Sequence, residues 1–152
     1  MIKNVHKWEK AVIMLLNLDG WDLTHTGEGF EHYDAIGFAP EKNGKRAEVV
    51  IEFKFRNKYY KEKLLECYKY DKLIETGKIA LYFVNDPKGN YMFWLNNLKD
   101  LKVKDMYCPD TTLWTKKKVL KPCYLIDESQ SSIMNLNDFK KYSKKSMFII
   151  CL

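Results

Sequence analysis

Apolar residues near the start of the chain recur every three or four positions. Val5, Trp8, Val12, Leu15 and Leu16 share one face of a helical wheel. The spacing predicts an amphipathic helix over residues 4–18, stopped by Asp19-Gly20. The period then shortens towards two. WDLTH is a short strand candidate, THTGEGFE is turn-rich, and HYDAIGF reads as a second strand. EKNGKR carries the Asn-Gly of a hairpin turn, and a third strand follows over about residues 46–56. From Tyr59 to Thr76 the pattern turns helical, with Leu64, Leu65, Cys67, Tyr68 and Ile74 as packing positions and Gly77 as a C-terminal cap. IALYFV (79–84) is an unbroken apolar run, which fits a strand buried on both faces. DPKGN turns the chain, and YMFWL returns as another strand.

The remainder alternates less clearly. Residues 95–118 read as a loop-rich excursion. VLKPCYLID is a strand that Pro122 assigns to an edge or a bulge. NLNDFKKYSKK predicts a short helix capped by Asn137 or Asp138, and MFIICL a last strand. The order is helix, three strands, helix, strand, strand. It predicts an α/β (α+β) fold, a mixed β-sheet flanked by helices. A single domain over residues 1–152 is expected, with its core in 5–84 and a C-terminal elaboration in 85–152.

Composition narrows the function classes. Hydrophobic residues at 46% and charged residues at 30% are the balance of an ordinary globular domain. No apolar run approaches the roughly 20 residues of a membrane helix. MIKNVHKWEK lacks the apolar segment of a secretory signal. A cytoplasmic protein with no membrane partner is the expectation. The cysteines at 67, 108, 123 and 151 form no CxxC pair and are expected to be reduced and structural. His6, His25 and His32 form no HxxxH pair and have no evident partners, which argues against a zinc hydrolase. The formal net charge of +6 favours acidic partners, of which nucleic acid is the commonest.

The third strand holds the candidate chemistry. Alternation turns Val49, Ile51, Phe53 and Phe55 to one face, and Val50, Glu52, Lys54 and Arg56 to the other. The second face therefore begins apolar and becomes a charged row. Its partner strand carries Asp34. A hairpin centred on Asn43 sets Asp34 opposite Glu52, whereas a strict two-residue Asn-Gly turn sets it opposite Phe53. Opposed Cβ atoms are about 4.5–5.5 Å apart. Two carboxylates at that distance repel unless a cation sits between them, and Mg²⁺ accepts carboxylate oxygens at about 2.0–2.1 Å. The same residues also fit a half-exposed strand face with cross-strand ion pairs.

Asp34 in HYDAIG, followed by Glu52-Phe53-Lys54 in VVIEFKF, resembles the PD-(D/E)XK nuclease superfamily. The similarity covers residues 5–84, with Tyr33 where the motif has its Pro. It implies the restriction-endonuclease-like fold with its αβββαβ core, and a Mg²⁺- (or Mn²⁺-) dependent nuclease acting on DNA rather than RNA. It implies Asp34 and Glu52 as metal ligands and Lys54 as the residue that activates water and steadies the phosphate. Many relatives carry Gln and Tyr four residues apart in the second core helix, and Glu66 and Tyr70 stand at that spacing here. Some place an acid in the first helix near the metal. Glu9 is the candidate, and it also reads as a solvated helix residue. The resemblance further implies a phage or bacterial enzyme, working as a homodimer or as a subunit of a larger complex.

Arg56, Lys58, Lys61 and Lys63 follow the motif and are candidate phosphate contacts. Lys116, Lys117 and Lys118 form a second basic run, with Trp114 as a base-stacking or core residue. Lys140, Lys141, Lys144 and Lys145 form a third. Each run also fits a solvated surface. Two other readings stand beside the nuclease: a non-catalytic nucleic-acid-binding or assembly protein on the same fold, and an unrelated α/β domain that binds protein.

Overall fold

The computed structural model describes residues 2–109 and 117–136, the first three of them by backbone alone. The expected helix near residue 138, the last strand, Trp114, Lys116 and the basic run from Lys140 lie outside the described residues.

Helix α1 spans Ile2–Leu18 and is followed by strands β1 (Asp22–His25), β2 (Ala35–Pro40) and β3 (Arg46–Phe55). Strand β4 (Glu62–Glu66), helix α2 (Cys67–Glu75), β5 (Ile79–Asp86) and β6 (Gly89–Trp94) come next. The chain ends, as described, in β7 (Lys102–Pro109), β8 (Lys118–Asp127) and a short β9 (Ser132–Ile133). A six-stranded sheet runs β1-β2-β3-β5-β6-β9, and a three-stranded sheet runs β4-β8-β7. Among the described residues only the β3–β5 pair is parallel; the crossover between them carries β4 and α2.

The large sheet is buried on both sides near its middle. On one face, Ala11, Val12, Ile13 and Leu16 of α1 pack against Val49, Ile51, Phe53, Leu81, Phe83 and Met92. On the other, Val50, Ala80, Tyr82, Val84 and Phe93 meet Leu65, Leu73 and Ile126 from β4, α2 and β8. This is why IALYFV has no polar interruption: β5 has a packed layer above and below it. Residues after 84 contribute to both sheets through β6, β7, β8 and β9.

The β2–β3 hairpin fixes the register that matters most. Asn43 (φ 89°) and Gly44 (φ 73°) both adopt the left-handed region. The Glu41 N–H donates to the Lys45 carbonyl at 2.8 Å. Pro40 then pairs with Arg46, and Ala35 with Ile51. Gly37, inside β2, allows β1 to approach, since a Cβ there would lie 1.9 Å from the Asp22 carbonyl oxygen.

Three expectations are corrected. The segment from Tyr59 is not one helix. Glu62–Glu66 pairs along its length with Cys123–Asp127, so sheet pairing overrides the helical propensity of EKLLE. Residues 102–109, expected in a loop, form β7 and pair with β8. Pro122 does not lie on an edge strand: β8 is the central strand of its sheet. The proline is accommodated because β4 covers β8 only from Cys123 onward. Cys108 and Cys123, distant in sequence, meet as free thiols with sulfurs 3.6 Å apart.

Candidate active site

Asp34 immediately precedes β2, and its N–H donates to the Ile51 carbonyl at 2.8 Å. Its Oδ2 accepts from the Phe53 N–H at 2.9 Å, which ties the carboxylate to β3 beside Glu52. The hairpin centred on Asn43 thus brings the two acids together. Glu52 is 5% exposed. Burial pushes its carboxyl up to about 7, and the charge of Asp34 adds to that rise.

Glu52, Lys54 and Arg56 line a cavity of about 250 Å³, as the strand alternation predicts. Its other walls include Glu66, Lys69, Tyr107 and Lys118. Burial, then the nearby charges of Lys69 and Arg56, hold the Lys54 ammonium below its ordinary range. Lys69 was not singled out by the sequence. It stands on the first turn of α2, and its Nζ donates to Glu52 Oε1 at 2.6 Å. Burial opposes its charge, but Glu52, Asp34 and Glu66 outweigh that and raise it above the usual lysine range.

The other expected residues separate. Glu66 closes β4 and lines the cavity, with Lys121 Nζ 3.6 Å away. Tyr70 instead packs edge-on against Tyr124, ring centroids 4.8 Å apart. The expected Glu–Tyr helix pair therefore spans a strand end and a helix, and only its acid reaches the cavity. Lys58 and Lys61 are exposed. Lys63, expected as a surface contact, is 4% exposed and donates to Asp86 at 2.7 Å. It is committed to the interior because β4 is a strand that turns alternate side chains inward.

Glu9 is not a solvated helix residue. It lies one turn from Val5 and Val12 on the apolar face of α1, 3% exposed. Its Oε1 accepts from His25 Nε2 at 2.8 Å and from His6 Nδ1 at 3.1 Å. Two of the histidines thus share one partner, contrary to expectation. No sequence motif carries this meeting, because the packing of β1 on α1 creates it. His32 meets Tyr68 edge-on at 6.1 Å between ring centroids.

Asp34 and Glu52 offer oxygen donors, crowded and partly withdrawn from water. This is the donor set that Mg²⁺ or Mn²⁺ takes, and a divalent charge would relieve the repulsion between them. Lys69 supplies part of that compensation within the chain.

No protein-family model matches the chain. No curated protein matches it either. Among solved structures, it is similar to Hjc, a Holliday junction resolvase from the archaeal hyperthermophile Archaeoglobus fulgidus. The two share 18% identity over 88% of this chain and 93% of that one, with a TM-score of 0.52. The chain has the restriction-endonuclease-like fold. Within that fold the Asp34–Glu52 pair stands at the open end of the β2–β3 ladder, away from the hairpin turn, and residues of β4, α2, β7 and β8 complete the cavity wall. Among the described residues no helix is long and apolar enough to cross a membrane.

Proposed function

We propose that this protein is a divalent-metal-dependent nuclease that hydrolyses phosphodiester bonds in DNA. Asp34 and Glu52 are its metal ligands, and Lys54 acts on the phosphate and the attacking water. One observation supports the reading: buried Glu52, with the Asp34 carboxylate bonded to the next residue of β3 beside it, lines a cavity together with Lys54, Arg56, Lys69 and Lys118. A structural ion pair has no need of a cavity, and a substrate anion does.

A bound divalent cation supplies Lewis-acid polarisation of the phosphoryl oxygen and a more acidic bound water. The chain supplies the rest. The Lys54 ammonium, its charge disfavoured by burial, gains from an incoming phosphate and stabilises charge as it develops. A lowered lysine also releases and regains a proton at Nζ more readily. Arg56 and Lys118 extend the basic wall for the neighbouring phosphates, with Lys58 and Lys61 exposed beyond them. A homodimer or a larger assembly would bring two such sites to two strands. Because the Archaeoglobus neighbour is a Holliday junction resolvase, branched DNA is the substrate to try first.

The 2.6 Å Lys69–Glu52 contact favours a second reading, a DNA-binding protein whose internal ion pair takes the place of the metal. Cleavage of labelled single-stranded, duplex and four-way DNA with Mg²⁺ or Mn²⁺ separates the two. Wild-type protein should cut, EDTA should stop it, and Lys54→Ala should lose about 10²–10³-fold in rate while still shifting DNA in a gel. Folded wild-type protein that binds and never cuts establishes the second reading.

A further inference from the structure

The Lys69–Glu52 contact is the shortest ion pair among the described residues, yet it lies in the wall of a cavity rather than in a sealed interior. We propose that Lys69 is a positioning residue that holds the place of a divalent cation at Glu52, leaves when the cation binds, and then takes a phosphate oxygen of the DNA. It thereby makes cation and DNA bind cooperatively. This deepens the nuclease reading and rests on its metal ligands.

The two partners are held differently. The Glu52 side chain is 7% exposed and stands in the middle of the large sheet, on β3 between β2 and β5. The Lys69 side chain is 36% exposed and reaches in from the first turn of α2 on a flexible four-carbon stem. Of the two, the lysine is the one that can leave. The cavity of about 250 Å³ that both residues line gives its ammonium a place to go.

Charge gives it a reason to leave. Asp34 and Glu52 together carry two negative charges when ionised, and a divalent cation cancels both. Lys69 is then surplus at that pair. Any cation on the Glu52 carboxylate also stands within a few ångströms of the ammonium, and like charges so close and partly withdrawn from water repel strongly.

The surroundings decide where Lys69 turns. Lys54, Arg56 and Lys118 line the same cavity and are cations. The Lys69 charge already opposes that of Lys54. Glu66 is the acid that remains, and Lys121 Nζ lies 3.6 Å from it. Four cations and one partly matched carboxylate leave the cavity short of negative charge. An incoming phosphate restores the balance. Without DNA, the displaced lysine opposes the cation that displaced it. With DNA, the phosphate receives the lysine and the opposition ends. By linkage, the cation must then tighten DNA by the same factor as DNA tightens the cation.

The test is calorimetric titration of metal-stripped, full-length protein with Ca²⁺, which also takes oxygen ligands, with and without four-way DNA. Denaturing gels confirm that the DNA stays intact. Work at about pH 9 keeps Glu52 charged. DNA should tighten Ca²⁺ binding to wild-type protein by about tenfold or more. Lys69→Met keeps the stem and removes the charge. Without DNA it should bind Ca²⁺ about fivefold more tightly than wild type, and the gain on adding DNA should shrink by about the same factor. Lys69→Arg keeps the charge and should retain most of the wild-type gain. If circular dichroism finds Lys69→Met unfolded, Lys69→Gln, which still offers Glu52 a hydrogen bond, is read instead. A charge-free variant that binds Ca²⁺ no more tightly than wild type overturns the inference, as does a gain with DNA that the substitution leaves unchanged. Wild-type protein that binds no divalent cation sinks the metal-dependent nuclease along with it. Cation binding and cleavage that Lys69→Met leaves unaltered sink this role for Lys69 and spare the nuclease.

Discussion

Two buried lysine–carboxylate clusters lie on consecutive segments of this chain, and they behave in opposite ways. Lys63 sits in a sealed clamp. Its side chain is 3% exposed and that of Asp86 is 1%, with their charged atoms 2.7 Å apart. Glu128 approaches at 3.6 Å, the Tyr60 carbonyl accepts another bond, and the rings of Tyr59 and Tyr91 cover the ammonium at 4.6 and 4.1 Å. Asp86 also accepts from the N–H groups of Lys88 and Gly89, so it closes the β5–β6 turn as well. Around Glu52 the charges are only partly matched: Lys69 reaches it at 2.6 Å, while Asp34 opposes its charge. Its carboxyl is pushed up to about 7 and the Lys54 ammonium is pushed down, mainly by burial in both cases, and both line an open cavity. Burial alone therefore does not mark a functional charge. Mismatch beside an opening makes a charge a candidate for function.

The largest expected effect breaks the clamp. Lys63→Ala leaves Asp86 buried without its cation, which should cost about 3–5 kcal/mol of stability. Urea unfolding measures it. The two backbone donors to Asp86 place the loss near the lower end of that range. Below the unfolding transition, cleavage should be unchanged. A loss of cleavage in folded Lys63→Ala would mean that the two clusters are coupled, and the distinction drawn here would fail.

How much of this contrast was legible depends on where each partner lies. The β2–β3 hairpin was readable because Asn43 and Gly44 are local, and strand alternation then places Asp34, Glu52, Lys54 and Arg56. Helix α1 was readable from its own period. Lys63 was misjudged because EKLLE looks helical, and because its partner Asp86 arrives from the turn after β5. Lys69 was missed for a related reason: its meeting with Glu52 depends on α2 starting at Cys67, after a strand that local propensity hides. The His6–Glu9–His25 cluster exists only once β1 packs on α1. Spacing along the chain sets His6 one turn from Glu9 but carries no trace of His25.

The next effect sharpens the mismatch at Glu52. A carboxyl with a raised folded pKa holds its proton in the folded state over a range where the unfolded chain has lost it. Stability then falls as pH rises from about 4.5 to about 7. Glu52→Gln removes that dependence. In metal-free protein it should be more stable than wild type at pH 8 by up to about 3 kcal/mol, and near equal at pH 4. Thermal melts across pH measure the difference. A variant less stable at pH 8 would mean that the Lys69 bond outweighs burial and Asp34 repulsion, making this cluster a second clamp. Added Mg²⁺ should stabilise wild type and leave the variant nearly unmoved.

The smallest effect separates the cations by where they point. Arg56 lines the cavity with Lys54, whereas Lys61 is exposed and lies 3.8 Å from Asp127. If Arg56 meets a phosphate, Arg56→Ala should weaken DNA binding evenly across sequences. It should also flatten the dependence of log affinity on log salt by about one unit, because one fewer counterion is released. Lys61→Ala should flatten it by less, since the charge of an exposed side chain near an acid is already partly offset by that acid. Binding isotherms at several salt concentrations resolve the two slopes. Equal slopes would show that DNA is attracted by the general basic surface rather than guided into the cavity. The mismatched charges around Glu52 would then attract a metal without positioning a phosphate beside it.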